Sequence, residues 1–208
     1  MKKFFLAICA AASTAAALMT SHVTAQTAKV DAAQVDRAVE SIFGKTPPVW
    51  KAKIDQDETQ KVCSLSRNEP SAAEATAILE REKKNVVMPA DGKVIGDWKS
   101  GEKLSQSGYG GRHTDDPTLA VGGNCYACHQ LSKTELSYGT MGPPLVEYGK
   151  IRRYAEADAK AAYVKIFNAQ AVFPCSNMPR LGHSKHLSEQ QIKDIVALLF
   201  DPESPVNK

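Results

Sequence analysis

The pentapeptide Cys125-Tyr126-Ala127-Cys128-His129 constrains this chain more than any other feature of its sequence. Its spacing is that of c-type haem attachment, in which each thiol forms a thioether with a haem vinyl group and the histidine binds the iron. A thioredoxin-like redox pair and half of a zinc site are the alternatives. No βαβ pattern surrounds the motif, and no second Cys-x-x-Cys completes a zinc tetrahedron. The sequence therefore favours one covalent haem c.

The amino terminus indicates export. Two lysines precede an apolar, Ala-rich run over 4–18, and small residues follow at 23–25. This pattern predicts a signal peptide over 1–25, cleaved after about Ala25. A membrane anchor is the alternative, but the run is short and weakly hydrophobic, and no later stretch approaches the ~20 apolar residues of a span. We expect a periplasmic protein without a membrane span.

Composition excludes several classes of function. The 208 residues include 26 Lys+Arg and 23 Asp+Glu, and the formal net charge of +3 is too small to suggest nucleic-acid binding. The 43% of hydrophobic residues is typical of a folded chain. We find no nucleophile–base constellation, paired-carboxylate motif or phosphate loop, so we expect no catalytic residue in this chain.

Two capping boxes and one aspartate N-cap mark the starts of predicted helices. Each box pairs a serine with a Glu or Gln three residues later. The predicted helices cover 71–84, 97–106 and the segment between Ser188 and Pro202. Strand-like alternation is absent, which predicts a mostly α-helical fold.

Two cysteines of the predicted mature chain, Cys63 and Cys175, lie outside the haem motif. An even number of cysteines in an exported chain favours a disulfide between them. A reactive thiol is the alternative, but neither cysteine lies at an obvious helix N-terminus beside a fixed cation. The bridge would join the N-terminal part of the chain to the residues just before Met178.

A Gly-Pro-Pro-Leu sequence over 142–145 begins 13 residues after His129. It resembles the Gly-Pro-x-Leu element of class I cytochromes c. The resemblance implies that the Pro143 carbonyl accepts a hydrogen bond from His129 and that Leu145 packs on the haem. An ordinary proline-rich turn is the alternative.

The sixth iron ligand must be a methionine, a histidine or a small molecule. Met178 lies 49 residues after His129 and just before the last predicted helix, where class I cytochromes place their distal methionine. His183 and His186 follow within a few residues and compete for the role. We expect His129 and Met178 as the two axial ligands. A saturated iron leaves no open position for a substrate, so this pair indicates electron transfer.

Residues 88–208 also resemble the X subunits of the Sox sulfur-oxidation system. The matching elements are Gly96-Asp97-Trp98, Gly101-Glu102, the segments 123–130 and 139–143, Met178-Pro179-Arg180, Leu187 with 189–192, and the terminal run 201–206. The long segment before about residue 88 and an insertion before Cys125 depart from that family. The sequence thus predicts a signal peptide over 1–25 and a helical N-terminal extension over 26–87, and the resemblance implies a monohaem class I cytochrome c domain over 88–208.

Membership of that family implies a heterodimer with a haem-containing A subunit. The two subunits together act as an L-cysteine S-thiosulfotransferase. Thiosulfate is joined oxidatively to a cysteine of a carrier protein, and two electrons are released. The sulfur chemistry belongs to the A subunit, while this chain would accept the electrons and pass them to a small cytochrome c. A free-standing periplasmic electron carrier is the alternative. A haem-based sensor or peroxidase is a third hypothesis.

Overall fold

The structure is a computed structural model that describes residues 31–112, 114–116 and 118–208. The predicted signal peptide over 1–25 lies outside the described residues. The division into an extension over 26–87 and a domain over 88–208 stays a prediction.

The described part of the chain consists of helices joined by loops, and no β-strand occurs in it. The helices are α1 (Ala32–Phe43), α2 (Pro48–Ile54), α3 (Glu58–Leu65), α4 (Ala72–Lys84), α5 (Trp98–Gln106), α6 (Tyr148–Ile151), α7 (Glu156–Phe167) and α8 (Glu189–Phe200). Short 3-10 turns cover Cys125–Ala127, Ala169–Ala171 and Pro205–Asn207. Among these helices, none has the length and apolar character that crossing a membrane requires.

The three predicted helix starts are confirmed. Ser71 and Glu74 form a reciprocal capping box at the start of α4, and Ser188 and Gln191 form another at the start of α8. The Asp97 carboxylate accepts hydrogen bonds from two backbone N–H groups in the first turn of α5. Each cap satisfies amide groups that have no partner within the helix, so these starts follow from local sequence alone.

The main core forms where α5 and α7 pack against α8. Gly101 allows the close approach of α5, because a Cβ there would lie 2.0 Å from the Asp194 carbonyl oxygen. Eight residues of α8 are buried, and six of them join Leu131, Tyr163, Leu181 and Val206 in one apolar cluster. We call this the main cluster.

The C-terminal run is fixed by Asn207, which is 6% exposed. Its amide nitrogen donates to the carbonyls of Leu199 at 3.1 Å and Asp201 at 2.8 Å. Its Oδ1 accepts from the backbone N–H groups of Gly149 and Lys150, both at 3.1 Å. One side chain therefore joins the end of the chain to both α6 and α8.

The N-terminal helices differ in how far they are integrated. Helix α1 has no buried residue, whereas α3 and α4 each bury two. Cys63 and Ile78 from these helices form a small second core cluster with Cys175. Helix α4 also packs on the turn Ala169–Ala171. The extension therefore contacts the chain next to Met178.

Candidate haem site

The Cys-x-x-Cys-His motif folds as a single tight turn. Asn124, with φ of 50°, leads into the 3-10 turn Cys125–Ala127. The Cys125 carbonyl then accepts from the backbone N–H groups of Cys128 at 3.1 Å and His129 at 2.9 Å. The two thiols are free. Wrapping the chain around one carbonyl brings both thiols and the imidazole together, as two thioethers and an iron ligand require.

The surroundings of the thiols argue against the zinc and redox alternatives. Cys125 is half-buried against the main cluster, and burial raises the pKa of its thiol. A raised pKa favours the neutral thiol, whereas disulfide exchange needs the thiolate. Among the described residues, no group of three or more His, Cys, Asp or Glu side chains could hold a metal ion.

The ring of His129 is oriented by the Pro143 carbonyl, which lies 2.7 Å from Nδ1. Since a carbonyl oxygen can only accept, Nδ1 carries the proton, and Nε2 keeps a lone pair for a metal. Gly142 makes this contact possible, because a Cβ there would lie 2.2 Å from His129 Cε1. The Gly142 N–H also donates to the Cys128 carbonyl at 2.8 Å.

Leu145 and Met178 pack against the same apolar cluster. Both are partly buried and pack against the main cluster, as does Cys125. The Met178 N–H donates to the Ser176 hydroxyl at 3.1 Å, which helps to fix the backbone at that residue. The structure thus brings together, on one cluster, a thiol, an apolar side chain and a thioether from three separate segments.

The competing histidines have other neighbours. His186 Nε2 lies 3.0 Å from the Gly122 carbonyl oxygen. His183 Nε2 lies 3.9 Å from Asp57 Oδ2. Both rings are partly buried.

Cys63 and Cys175 form a disulfide, with Cα atoms 5.2 Å apart and a sequence separation of 112. This is the pairing that the sequence favours. Both residues are buried, at 6% and 5% exposure. The bond joins α3 to the chain three residues before Met178.

Sequence reasoning missed a buried charge cluster next to Met178. Arg180 Nη2 lies 2.6 Å from Asp57 Oδ2, and Nη1 lies 3.4 Å from Glu82 Oε2. The Glu82 side chain is only 2% exposed and also accepts from Asn168 Nδ2 at 2.8 Å and from the Thr59 hydroxyl. The sequence marks this arginine only through the resemblance of Met178-Pro179-Arg180 to the Sox family.

These contacts change the acidity of both carboxyls. Burial alone would raise the pKa of Glu82, but hydrogen bonds from Asn168 and Thr59 and the positive charge of Arg180 outweigh it and hold the pKa below its usual value. Burial likewise opposes a lowered pKa at Asp57, where hydrogen bonds from Gln60 and Arg180 prevail. Both groups are therefore carboxylates in the folded chain at neutral pH.

The residues present fit a covalently bound haem. Two free thiols lie beside a histidine whose Nε2 is left available, and an apolar cluster with a thioether lies next to them. This donor set suits haem iron, since imidazole and thioether are common axial ligands. The fold and the site together define a class I cytochrome c domain with a helical N-terminal extension.

Comparison with known proteins agrees. The cytochrome c family matches residues 117–200. An uncharacterized lipoprotein of Aquifex aeolicus (strain VF5) is 34% identical over 187 residues, which cover 86% of each chain. The chain belongs to the same family as this lipoprotein and carries a cytochrome c domain, which implies covalently bound haem c.

Proposed function

We propose that this chain is a monohaem electron-transfer subunit whose iron is bound by His129 and Met178. One observation carries the proposal: Met178 packs on the same apolar cluster as Cys125, while the His129 ring is held with Nε2 free. With two protein ligands the iron has no position for a substrate. When bound, the haem supplies one-electron oxidation and reduction.

The side chains of this protein would then hold the haem rather than carry out group transfer. Cys125 and Cys128 would attach it, and the hydrogen bond to Pro143 would strengthen His129 as a ligand. Leu145 would exclude water from one face. A thioether ligand favours the reduced iron relative to a second imidazole, which suits an electron acceptor.

The ligand assignment is tested by the weak near-infrared sulfur-to-iron band of the ferric protein. We expect this band in the unmodified protein and its loss in Met178→Ala. Met141→Ala is the matched control, because Met141 is 75% exposed and near the motif. Loss of the band in His183→Ala or His186→Ala but not in Met178→Ala would contradict the assignment. Rapid binding of carbon monoxide or peroxide would favour a sensor or peroxidase.

We further propose that the chain is the X subunit of a SoxAX complex. The motifs within residues 88–208 support this assignment, together with the lack of a catalytic constellation in the sequence. The chain would accept electrons while the haem-containing A subunit joins thiosulfate to a carrier-protein cysteine, and would pass them to a small cytochrome c. It would thus be the electron-transfer subunit of an L-cysteine S-thiosulfotransferase.

Purification from its source distinguishes this role from a free-standing carrier. We expect a second haem subunit to copurify and the pair to oxidise thiosulfate in the presence of a carrier protein. A strictly monomeric protein, or a pair inert toward thiosulfate, would leave the free-standing carrier as the function.

We propose that the chain acts in the periplasm after cleavage near Ala25. The sequence pattern of residues 1–25 supports export, and the Aquifex relative is described as a lipoprotein, a class of exported protein. The mature amino terminus should be found by sequencing at about residue 26. An intact Met1 in protein from the source organism would contradict this.

A further inference from the structure

Arg180 lies two residues after Met178 and points into the N-terminal extension. Its side chain is only 11% exposed and contacts two carboxylates, Asp57 at 2.6 Å and Glu82 at 3.4 Å. These partners precede it in the chain by 123 and 98 residues. Charged hydrogen bonds in a partly buried site are stronger than neutral ones at the surface. The contacts therefore join two segments of the extension to the chain two residues after the proposed iron ligand.

Both carboxylates are themselves held in place. Asp57 is the N-cap of α3, where its Oδ1 accepts from the Gln60 N–H at 2.9 Å and the Gln60 side chain binds back to the Asp57 N–H. Glu82, on α4, is fixed by Asn168 at 2.8 Å and by the Thr59 hydroxyl. Arg180 thus binds a preorganised pair of acceptors rather than mobile surface side chains.

The extension also contacts the chain on the other side of Met178. The disulfide from Cys63 fixes Cys175, and Asn68 Nδ2 donates to Asn177 Oδ1 at 3.3 Å. We call residues 175–180 the Met178 segment. It is joined to the extension both before and after the methionine.

The space between α3 and the Met178 segment is not completely filled by side chains. A cavity of about 340 Å³ lies between α3 and the Met178 segment, and Met178 and Arg180 are among the residues that line it. Gln170, also in its lining, is 8% exposed, and its Oε1 is a buried acceptor without a protein partner. Beside this cavity the contacts between the extension and the Met178 segment are the disulfide and the polar contacts, while Met178 also packs against the main cluster.

We propose that Arg180, bound by Asp57 and Glu82, is a positioning residue that keeps Met178 at the iron, and that the extension is thereby part of the redox site. The proposal rests on the His129/Met178 ligation proposed above. A protein segment that can leave the iron exists in ligand-on and ligand-off populations, and contacts made only in the on state shift that equilibrium. Loosening the segment would expose a site for an external ligand and remove the thioether, which lowers the reduction potential.

The test uses the full-length holoprotein with imidazole as the external ligand. We expect Arg180→Ala to bind imidazole to the ferric form about tenfold more tightly, in proportion to the larger ligand-off population. The near-infrared band should weaken and the midpoint potential should fall. Arg180→Lys keeps the charge but not the two-pronged geometry, so it should restore part of each property.

Asp57→Asn is the second variant, because asparagine is as good an N-cap as aspartate and leaves α3 intact. It removes the closest charged partner of Arg180 and should change the three readouts in the same direction, by less. Glu156→Gln is the matched control, since Glu156 forms an exposed ion pair with Lys160 within α7 at 2.6 Å. It should change none of them.

Three outcomes overturn the proposal, and they distinguish failure of the proposed ligation from failure of the role of Arg180. If the unmodified protein lacks the sulfur-to-iron band, the ligation fails and this inference fails with it. If the band is present but imidazole affinity and potential are the same in Arg180→Ala and Asp57→Asn, Arg180 is structural only, even if the melting temperature falls. If Arg180→Ala does not fold, unchanged imidazole affinity in Asp57→Asn overturns the proposal by itself.

Discussion

Removing the disulfide between Cys63 and Cys175 should destabilise the protein. Replacing Cys63 and Cys175 together opens a loop whose ends are 112 residues apart. The loop-entropy relation gives about 4–5 kcal/mol for a loop of this length, and loss of a native disulfide typically costs about 2–5 kcal/mol. We therefore expect the free energy of unfolding to fall by about 2–5 kcal/mol.

Alanine is the right replacement. Both sulfur atoms belong to a small buried cluster with Ile78, so serine would bury two hydroxyls and add a penalty unrelated to the cross-link. The double variant Cys63→Ala/Cys175→Ala removes the bond with little added polarity. Unmodified protein treated with a reductant provides the matched comparison, because it loses the bond and keeps both side chains.

The assay is thermal and guanidinium unfolding of the holoprotein, followed by helical circular dichroism and by haem absorbance. For a chain of this size, about 2–4 °C of Tm accompanies each kcal/mol, so the Tm should fall by about 4–20 °C. The result would refute the reasoning if the double variant unfolded within a degree of the unmodified protein. Two titratable thiols in the unreduced, unfolded chain would refute the bridge itself.

Three further predictions follow from single contacts. Gly142→Ala should lower haem incorporation, measured as haem absorbance per protein, because the added Cβ would lie 2.2 Å from His129 Cε1; normal incorporation would contradict this. Asn207→Ala should lower the free energy of unfolding by about 2–4 kcal/mol, since it removes hydrogen bonds from four backbone groups, of which the Asp201 carbonyl keeps a second bond from the Ser204 N–H; a change below about 0.5 kcal/mol would argue against the anchor. Stability should fall as the pH drops from about 5 toward 3, because the pKa values of Asp57 and Glu82 are lower in the folded chain than in the unfolded one and the unfolded chain takes up protons first. Asp57→Asn should flatten that dependence in denaturant titrations.

Sequence predicted the parts of this fold that are determined within a few residues. The capping boxes of α4 and α8 are confirmed. A serine and the residue three positions later bind unpaired backbone N–H groups of the first helical turn, whatever the helix packs against. The contact between His129 and Pro143 spans only 14 residues. The ligand roles of His129 and Met178 stay predictions.

Other parts had a weak local signal or none. Helix α7 starts after Ala155, which makes no side-chain hydrogen bond, and only the acidic Glu156 and Asp158 of its first turn mark the beginning. The burial of Glu82 depends on Asn168 and Arg180, which lie 86 and 98 residues away. A glutamate among the lysines and arginines of an Ala-rich helix is typical of a solvated surface. Only the packing of α4 on the haem domain turns it into a buried acceptor.

The two faces of the proposed haem site are therefore built in different ways. The His129 face is assembled within residues 125–145, by one turn and by the hydrogen bond that the His129 ring donates to the Pro143 carbonyl. The Met178 face depends on an extension more than 90 residues upstream, through the disulfide and Arg180. Under the proposed ligation we expect a change in the extension to alter the sixth ligand and to leave haem attachment unchanged, because the disulfide and Arg180 contact the Met178 segment and not the attachment turn. Under the proposed ligation, this separation makes the extension the part of the chain best placed to set the reduction potential.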